Sequence, residues 1–337
     1  MFGDLPREYP QIFAFILIPE YSMIPLVSAL EMFRIANRLA DKELYKARIY
    51  TLDGEPVAAS NGVIITPDGS LKDVNEKAVA VVCGGMNIQY NTAKGLISWL
   101  RMISRRGRTI GSFCTGSHVL AVAGLLEGYR CTIHWENIPS FVETFPEINL
   151  SGKLFEIDRN RFTCAGGTAT FDLMLTLISR QHGTNLAEDV AEQMLHMPIR
   201  HPDDDQRMSV PARIGARHPK LVKIIETMED HLEDPWTPGE LATQVGLSTR
   251  QLERLFKRYV DRTPKRFYLD LRLRRARLLL LQTNQSVINI ALACGFSSPS
   301  HFSKCYRSFF GRTPYRERGT PEPTPQNLNL AHRGNSR

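Results

Sequence analysis

Two hydrophobic rhythms divide the chain. Short, nearly unbroken apolar runs at residues 12–18, 47–52 and 79–83 read as buried strands, and residues 109–112, 155–158 and 161–164 extend the set. Between them, apolar residues recur at helical spacing over residues 26–39, 92–106, 117–123, 138–145, 170–181 and 187–195. Strands that are apolar on both faces and alternate with helices predict an α/β N-terminal domain, a mainly parallel sheet with helices on both faces. Such sheets hold ligands beyond the carboxyl ends of their strands. After residue 195 the pattern stops, and MPIRHPDDDQRMSVPARIGARHP reads as a linker. Its three adjacent carboxylates, Asp203, Asp204 and Asp205, are expected to be solvated. From residue 218 only helical periods remain. The boundaries drawn are 1–198 for the first domain, 199–217 for the linker and 218–318 for an all-α C-terminal domain. Residues 319–337, rich in Pro, Asn and Gly, are expected to be a disordered tail.

The helical domain carries one pattern twice. Thr237-Pro238-Gly239-Glu240 supplies a capping box, with Pro at the first helical position. Leu241, Ala242 and Val245 then share a face, Gly246 turns the chain, and Ser248-Thr249-Arg250-Gln251 caps a second helix. That helix puts Leu252, Leu255, Phe256 and Tyr259 inward and Arg250, Arg254, Lys257 and Arg258 outward. About fifty residues on, Ile290-Ala291-Leu292-Ala293-Cys294-Gly295-Phe296-Ser297 repeats the first helix and turn, and residues 302–307 repeat the second helix. Both copies leave through Arg-Thr-Pro, at residues 262–264 and 312–314. A helix, a glycine turn and a cationic second helix, present twice, predict two helix-turn-helix motifs. The helix between them, residues 265–281, bears Arg272, Arg274, Arg275 and Arg277 and sets their spacing.

Charge follows the same division. The net charge is +7, yet residues 1–205 carry 19 Lys/Arg against 24 Asp/Glu, and residues 218–318 carry 18 against 10. The basic excess coincides with the duplicated motif, which favours phosphate binding. Gly295-Phe296-Ser297-Ser298-Pro299-Ser300-His301-Phe302-Ser303-Lys304, followed by Phe309-Phe310-Gly311-Arg312-Thr313-Pro314, resembles the DNA-binding domain of AraC/XylS-type regulators. Two such motifs should enter successive major grooves about 34 Å apart. Bases would be read by Thr249, Arg250, Gln251 and Arg254 in the first copy and by Ser300, His301 and Lys304 in the second. Arg266, Arg272, Arg307 and Arg312 are expected on phosphates.

The first domain offers one piece of candidate chemistry. Ser112-Phe113-Cys114-Thr115-Gly116 lies between a strand and a helix that opens near Ser117, the setting of a nucleophile elbow. A thiol there is expected to have a depressed pKa, because a helix N-terminus favours the thiolate. The plainer reading is a small residue tolerated in a tight turn. His118 either serves as a base or caps and solvates its helix, and His182 and His196 sit at helix ends.

Cys83-Gly84-Gly85, the Cys114 segment, Gly124-Leu125-Leu126-Glu127-Gly128 and Thr132-Ile133-His134-Trp135 resemble the class I glutamine-amidotransferase-like, PfpI-type domain. Joined to an AraC-type domain, they identify the chain as a member of the GlxA family of regulators. The resemblance puts Cys114 on the nucleophile position and His134 where those enzymes often carry a His. The acidic partner of the nucleophile falls on Pro25, which opposes hydrolysis and implies a pocket kept for binding. Cys114, Thr115, His134, Trp135, Glu136 and Tyr21 are the expected ligand-binding residues. Trp135 and Tyr21 offer aromatic faces to an ammonium and Glu136 a counter-charge, while free helix N–H groups suit a carboxylate. The run His134-Trp135-Glu136-Asn137 is similar to family members that respond to amino acids or quaternary amines. The competing classes are a Cys114-dependent hydrolase or lyase tethered to DNA, and an architectural DNA binder with no effector.

The six cysteines form no CxxC and no zinc spacing, and neither a metal nor a cofactor is expected. No signal peptide or membrane-length apolar run is visible, so a reduced, cytoplasmic protein that binds no membrane is expected. The expected partners are double-stranded DNA, a small-molecule effector, RNA polymerase and a second copy in a homodimer.

Overall fold

The computed structural model describes residues 3–318 apart from Leu5 and Arg7, so the tail expected at 319–337 lies outside the described residues. The chain forms two compact units, the first running through Gln206 and the second starting at Arg207.

In the first unit the strands are β1 (Gln11–Leu17), β2 (Tyr45–Thr51), β3 (Val57–Ala58), β4 (Ile64–Ile65), β5 (Gly69–Ser70), β6 (Val79–Cys83), β7 (Ile110–Phe113), β8 (Arg130–Thr132), β9 (Asn149–Ser151), β10 (Phe155–Asp158) and β11 (Arg161–Cys164). The helices are α1 (Met23–Leu39), α2 (Ile88–Asn91), α3 (Lys94–Arg105), α4 (Gly116–Val122), α5 (Ile138–Thr144), α6 (Ala169–His182) and α7 (Thr184–Gln193). Seven strands make one sheet in the order β10-β11-β7-β6-β1-β2-β5, parallel throughout except for β10 against β11. Central strands are apolar on both faces because both are covered. Phe13, Phe15, Val81 and Cys83 join a core with Leu26, Phe33 and Leu177. Ala14, Ile16 and Val82 point the other way, toward Leu100, Val119 and Leu120. All six predicted strands and all six predicted helices of this unit are present. The pairs β3–β4 and β8–β9 were not predicted, since two or three residues are too few to set up a period.

The elbow is built where β7 gives way to α4. Cys114 lies between them with φ +56°, a left-handed conformation that side chains other than glycine seldom adopt. The turn seats against the carboxyl end of β6. A Cβ on Gly116 would fall 2.3 Å from the Val82 carbonyl oxygen, and one on Gly84 would fall 2.4 Å from Gly116 N. Glycine at both positions is therefore required by close approach.

The second unit is helical: α8 (Val210–Ile214), α9 (Pro219–Asp230), α10 (Pro238–Gln244), α11 (Thr249–Val260), α12 (Pro264–Gln282), α13 (Val287–Ala293), α14 (Pro299–Phe310) and α15 (Pro314–Glu317). Both predicted capping boxes form, Thr237 with Glu240 and Ser248 with Gln251. Two small cores result. Leu241, Leu252 and Phe256 anchor one, and Ile290, Phe302 and Tyr306 the other. Helix α12 serves both, giving Tyr268 to the first and Leu273, Ala276 and Leu280 to the second.

The segment read as a linker is docked at both ends. Leu154 N donates to the Pro202 carbonyl at 3.2 Å. Val210 and Ala216 are buried in the first core of the second unit, and Arg213 makes a two-pronged pair with Glu229 at 2.6 and 2.8 Å. The carboxylates expected to be merely solvated are exposed, but two have partners. Asp203 pairs with Lys153, and Asp204 accepts the His201 N–H at 3.0 Å.

Candidate functional site

Cys114 is held from three sides. Its N–H donates to the Cys164 carbonyl at 3.0 Å, and Gly84 N–H donates to the Phe113 carbonyl at 3.2 Å. The Thr115 hydroxyl donates to the Gly85 carbonyl at 2.7 Å. Opposite, Gly166 passes so close that a Cβ there would sit 2.8 Å from Cys114 Cβ. The thiol is buried, and burial pushes its pKa up to about 12. The Thr115 N–H acts in the other direction, while the charges of Cys164 and Glu136 push further up. The expected depressed thiol pKa is thus overturned, because one N–H at a seven-residue helix does not offset full desolvation.

The electrostatic reach of Glu136 to Cys114 brings the turn that follows β8 to the elbow. His134, Trp135 and Glu136 are half-buried there, with the His134 and Trp135 ring centroids 5.7 Å apart. Burial lowers the His134 pKa, Glu136 opposing it in part, which favours the neutral imidazole. His118 is also kept neutral, its pKa lowered to about 4 by burial, with its ring edge-on to Phe145 at 5.4 Å. It therefore packs, and neither caps nor solvates its helix.

Tyr21 departs from expectation. Its ring is fully buried in the core, so it offers no face to a ligand, and desolvation raises its pKa to about 12. Pro25 is buried in the first turn of α1 and brings no carboxylate. The nearby Glu20 carboxylate is taken by the side-chain amides of Asn87 and Asn91, at 2.7 and 3.2 Å. The elbow thus presents a neutral thiol, with a neutral imidazole on the turn that carries Trp135 and Glu136.

On the second unit, Thr249, Arg250, Gln251 and Arg254 are exposed along the start of α11, with Arg250 and Arg254 one turn apart. Gln251 is partly committed, its side-chain oxygen accepting the Ser248 N–H at 2.8 Å. Ser300, His301, Lys304 and Arg307 are exposed on α14, and His301 Nε2 lies 3.3 Å from the Cys305 thiol. Arg272 needs correction as a phosphate contact. Its guanidinium donates to the Cys294 and Gly295 carbonyls at 2.7 and 2.6 Å and lies 4.2 Å from the Phe296 ring centre, so it clamps the second turn. Arg312 and Arg266 are exposed but also tied inward. Arg312 pairs with the buried Glu317 at 2.8 Å, and Arg266 with the buried Asp270 at 3.2 Å.

These pairs explain the repeated Arg-Thr-Pro. Each Thr caps the next helix, each Pro fills its first turn, and each Arg reaches a buried carboxylate, Arg262 to Asp270 and Arg312 to Glu317. Sequence reasoning also missed Asp172, a fully buried acid bound by Arg200 at 2.7 and 3.0 Å and by His196 at 2.9 Å. An acid inside the apolar run of α6 was the available signal. Among the described residues, no group of three or more His, Cys, Asp or Glu is placed to hold a metal, and no helix is long and apolar enough to cross a membrane.

Comparison with known proteins agrees with this division. Residues 15–180 match the DJ-1/PfpI family, and residues 241–319 match a helix-turn-helix domain family. The chain is 45% identical over 329 residues to the HTH-type transcriptional regulator GbdR of Pseudomonas aeruginosa, covering 95% of this chain and 90% of that protein. It is 36% identical over 305 residues to the HTH-type transcriptional regulator GlxA of Rhizobium meliloti, covering 90% and 94%. A crystal structure of an AraC family transcriptional regulator from Pseudomonas putida is 29% identical, with TM-score 0.50, over 55% of this chain and all of that one. A DJ-1/PfpI-type α/β unit followed by a duplicated DNA-binding motif, and near full-length identity to named regulators, make this chain a member of the GlxA-type family of DNA-binding transcription regulators.

Proposed function

We propose that the chain is a transcription activator controlled by a small amine, an amino acid or a quaternary amine such as a betaine, bound in the first unit. In this reading residues 1–198 sense and residues 218–318 read DNA. The protein acts in the cytoplasm as a homodimer that works through RNA polymerase. The observation that carries the sensor half is the state of Cys114. A nucleophilic cysteine needs a lowered pKa and a base. Here burial pushes the pKa to about 12, and an acid, Glu136, adds to that push. Trp135 and Glu136 supply the aromatic face and counter-charge that attract an ammonium group.

A second reading, a Cys114-dependent hydrolase or lyase, is favoured by the left-handed backbone of Cys114 between strand and helix. One experiment separates the two: thermal melts of the full chain with glycine betaine, carnitine and amino acids, each also assayed for consumption. A ligand at 100 times its Kd adds about 2.7 kcal/mol of stability. A selective rise with the compound left intact is expected. Consumption that disappears in Cys114→Ala would overturn the sensor reading in favour of the enzyme.

A further inference from the structure

A run of buried side-chain hydrogen bonds leaves the elbow and ends at the last residue of the first unit. Ser112, two residues before Cys114, and Ser117, three after it, meet through their hydroxyls at 2.8 Å. The Ser117 hydroxyl donates to the Thr132 carbonyl at 2.6 Å. The Gln206 side-chain amide nitrogen then shares its two hydrogens among Thr132 Oγ1 at 2.9 Å, the Ile133 carbonyl at 3.0 Å and the Lys153 carbonyl at 2.8 Å. Ser112, Ser117 and Thr132 are fully buried. Ile133 directly precedes His134-Trp135-Glu136, and Arg207, directly after Gln206, opens the second unit. The turn that carries the effector-site residues is thereby fastened to the point where the chain leaves the first unit.

The rest of the exit segment is held at one buried acid. Asp172 accepts from the Arg200 N–H at 2.8 Å as well as from its guanidinium, and meets the His196 imidazole. Stripping partners from a buried carboxylate is costly, which favours release of its partners as a group over release one by one. Releasing residues 199–206 would lengthen the tether of the DNA-binding unit by roughly 26 Å at full extension.

We propose that residues 196–206 are a strap that carries effector occupancy at the elbow to the DNA-binding unit, with Gln206 as its positioning residue. The proposal rests on the effector reading above. A ligand moves such an equilibrium only by binding the docked and released states unequally, and Gln206 on the Ile133 carbonyl is the link that makes their affinities differ. The ordinary alternative is a network that merely packs the edge of the unit.

The test is amide hydrogen exchange on the full chain, comparing the parent with Gln206→Ala and with Gln206→Glu, which keeps the shape but deletes the donors. With no amine present, both variants should speed exchange at residues 130–137 as well as at 196–206. Unchanged exchange at 130–137 would overturn the strap. With glycine betaine at a concentration that raises the parent's melting temperature, the parent should gain protection in both segments. The variants should keep it at 130–137 and lose it at 196–206, by at least about five-fold. Equal protection of the strap in parent and variants would also overturn the proposal. If no amine shifts the parent's melt, the effector reading fails and the strap, which rests on it, fails with it; an amine that shifts the melt but protects the strap equally in parent and variants overturns the strap alone.

Discussion

The two helix-turn-helix copies share caps, glycine turn and exit, yet they are embedded differently. In the second copy the turn is clamped: Arg272 holds the Cys294 and Gly295 carbonyls and stacks on Phe296. In the first, the matching glycine carbonyl accepts from the exposed Lys220 ammonium at 3.4 Å. A Cβ on Gly295 would fall 2.7 Å from the Leu232 carbonyl, whereas one on Gly246 would meet nothing beyond its chain neighbours within 4 Å. The reading sets differ in the opposite sense. The first recognition helix presents two guanidiniums one turn apart, Arg250 and Arg254, and the second presents Ser300, His301 and a single ammonium at Lys304. The two copies are thus seated unequally, the second firmly and the first loosely, and their second helices expose different side chains.

The glycine turns give the largest expected contrast. Both have positive φ, so alanine costs each about 1–2 kcal/mol from backbone strain alone. Gly295→Ala must also displace backbone carbonyls and should cost at least about 3 kcal/mol, while Gly246→Ala should cost about 1, both read from thermal melts. Equal losses would break the comparison. Next in size is Arg272→Ala, which leaves two carbonyls without their charged donor and should lower stability by about 3 kcal/mol. Lys220→Ala should leave the melt unchanged.

Smaller effects belong to the readers. Arg250→Ala should weaken a selected cognate duplex by about 1–3 kcal/mol and a scrambled duplex much less, in competition binding. Arg307→Ala should weaken both alike and shallow the salt dependence by about one unit of slope. Reversed results would exchange the roles assigned to the two side chains. The smallest effect is a control on the first unit. The folded pKa of His118 is lowered to about 4 from an ordinary value near 6.5. Between those values the unfolded chain binds the extra proton, so stability is complete above pH 6.5 and falls as pH drops toward 4. His118→Leu should flatten that slope in a pH series of melts without touching DNA affinity at pH 7.

Much of the fold was legible in the sequence. β6 is apolar at all five positions and could be nothing but a buried strand, and the capping boxes are local chemistry four residues long. The elbow at Cys114 followed from strand-to-helix context in the same way. What was hidden depends on distant partners. Arg262 and Arg312 meet their carboxylates eight and five residues on, from outside the helix that bears each acid, and Arg272 reaches across 22 residues to Cys294. The Cys114 pKa was misjudged because a local helix effect is visible in sequence and desolvation by the whole fold is not. Tyr21 was misplaced for the same reason: burial is a property of neighbours the sequence does not name.

The central claim is that two unlike readers act on one DNA site. Selection of duplexes from a random library by the full chain, repeated with Arg250→Ala and with Arg307→Ala, tests it most directly. The account predicts two recognised segments centred about one helical turn apart, one of which loses its base preference in Arg250→Ala while neither does in Arg307→Ala. A single recognised segment, or preferences untouched by Arg250→Ala, would contradict it.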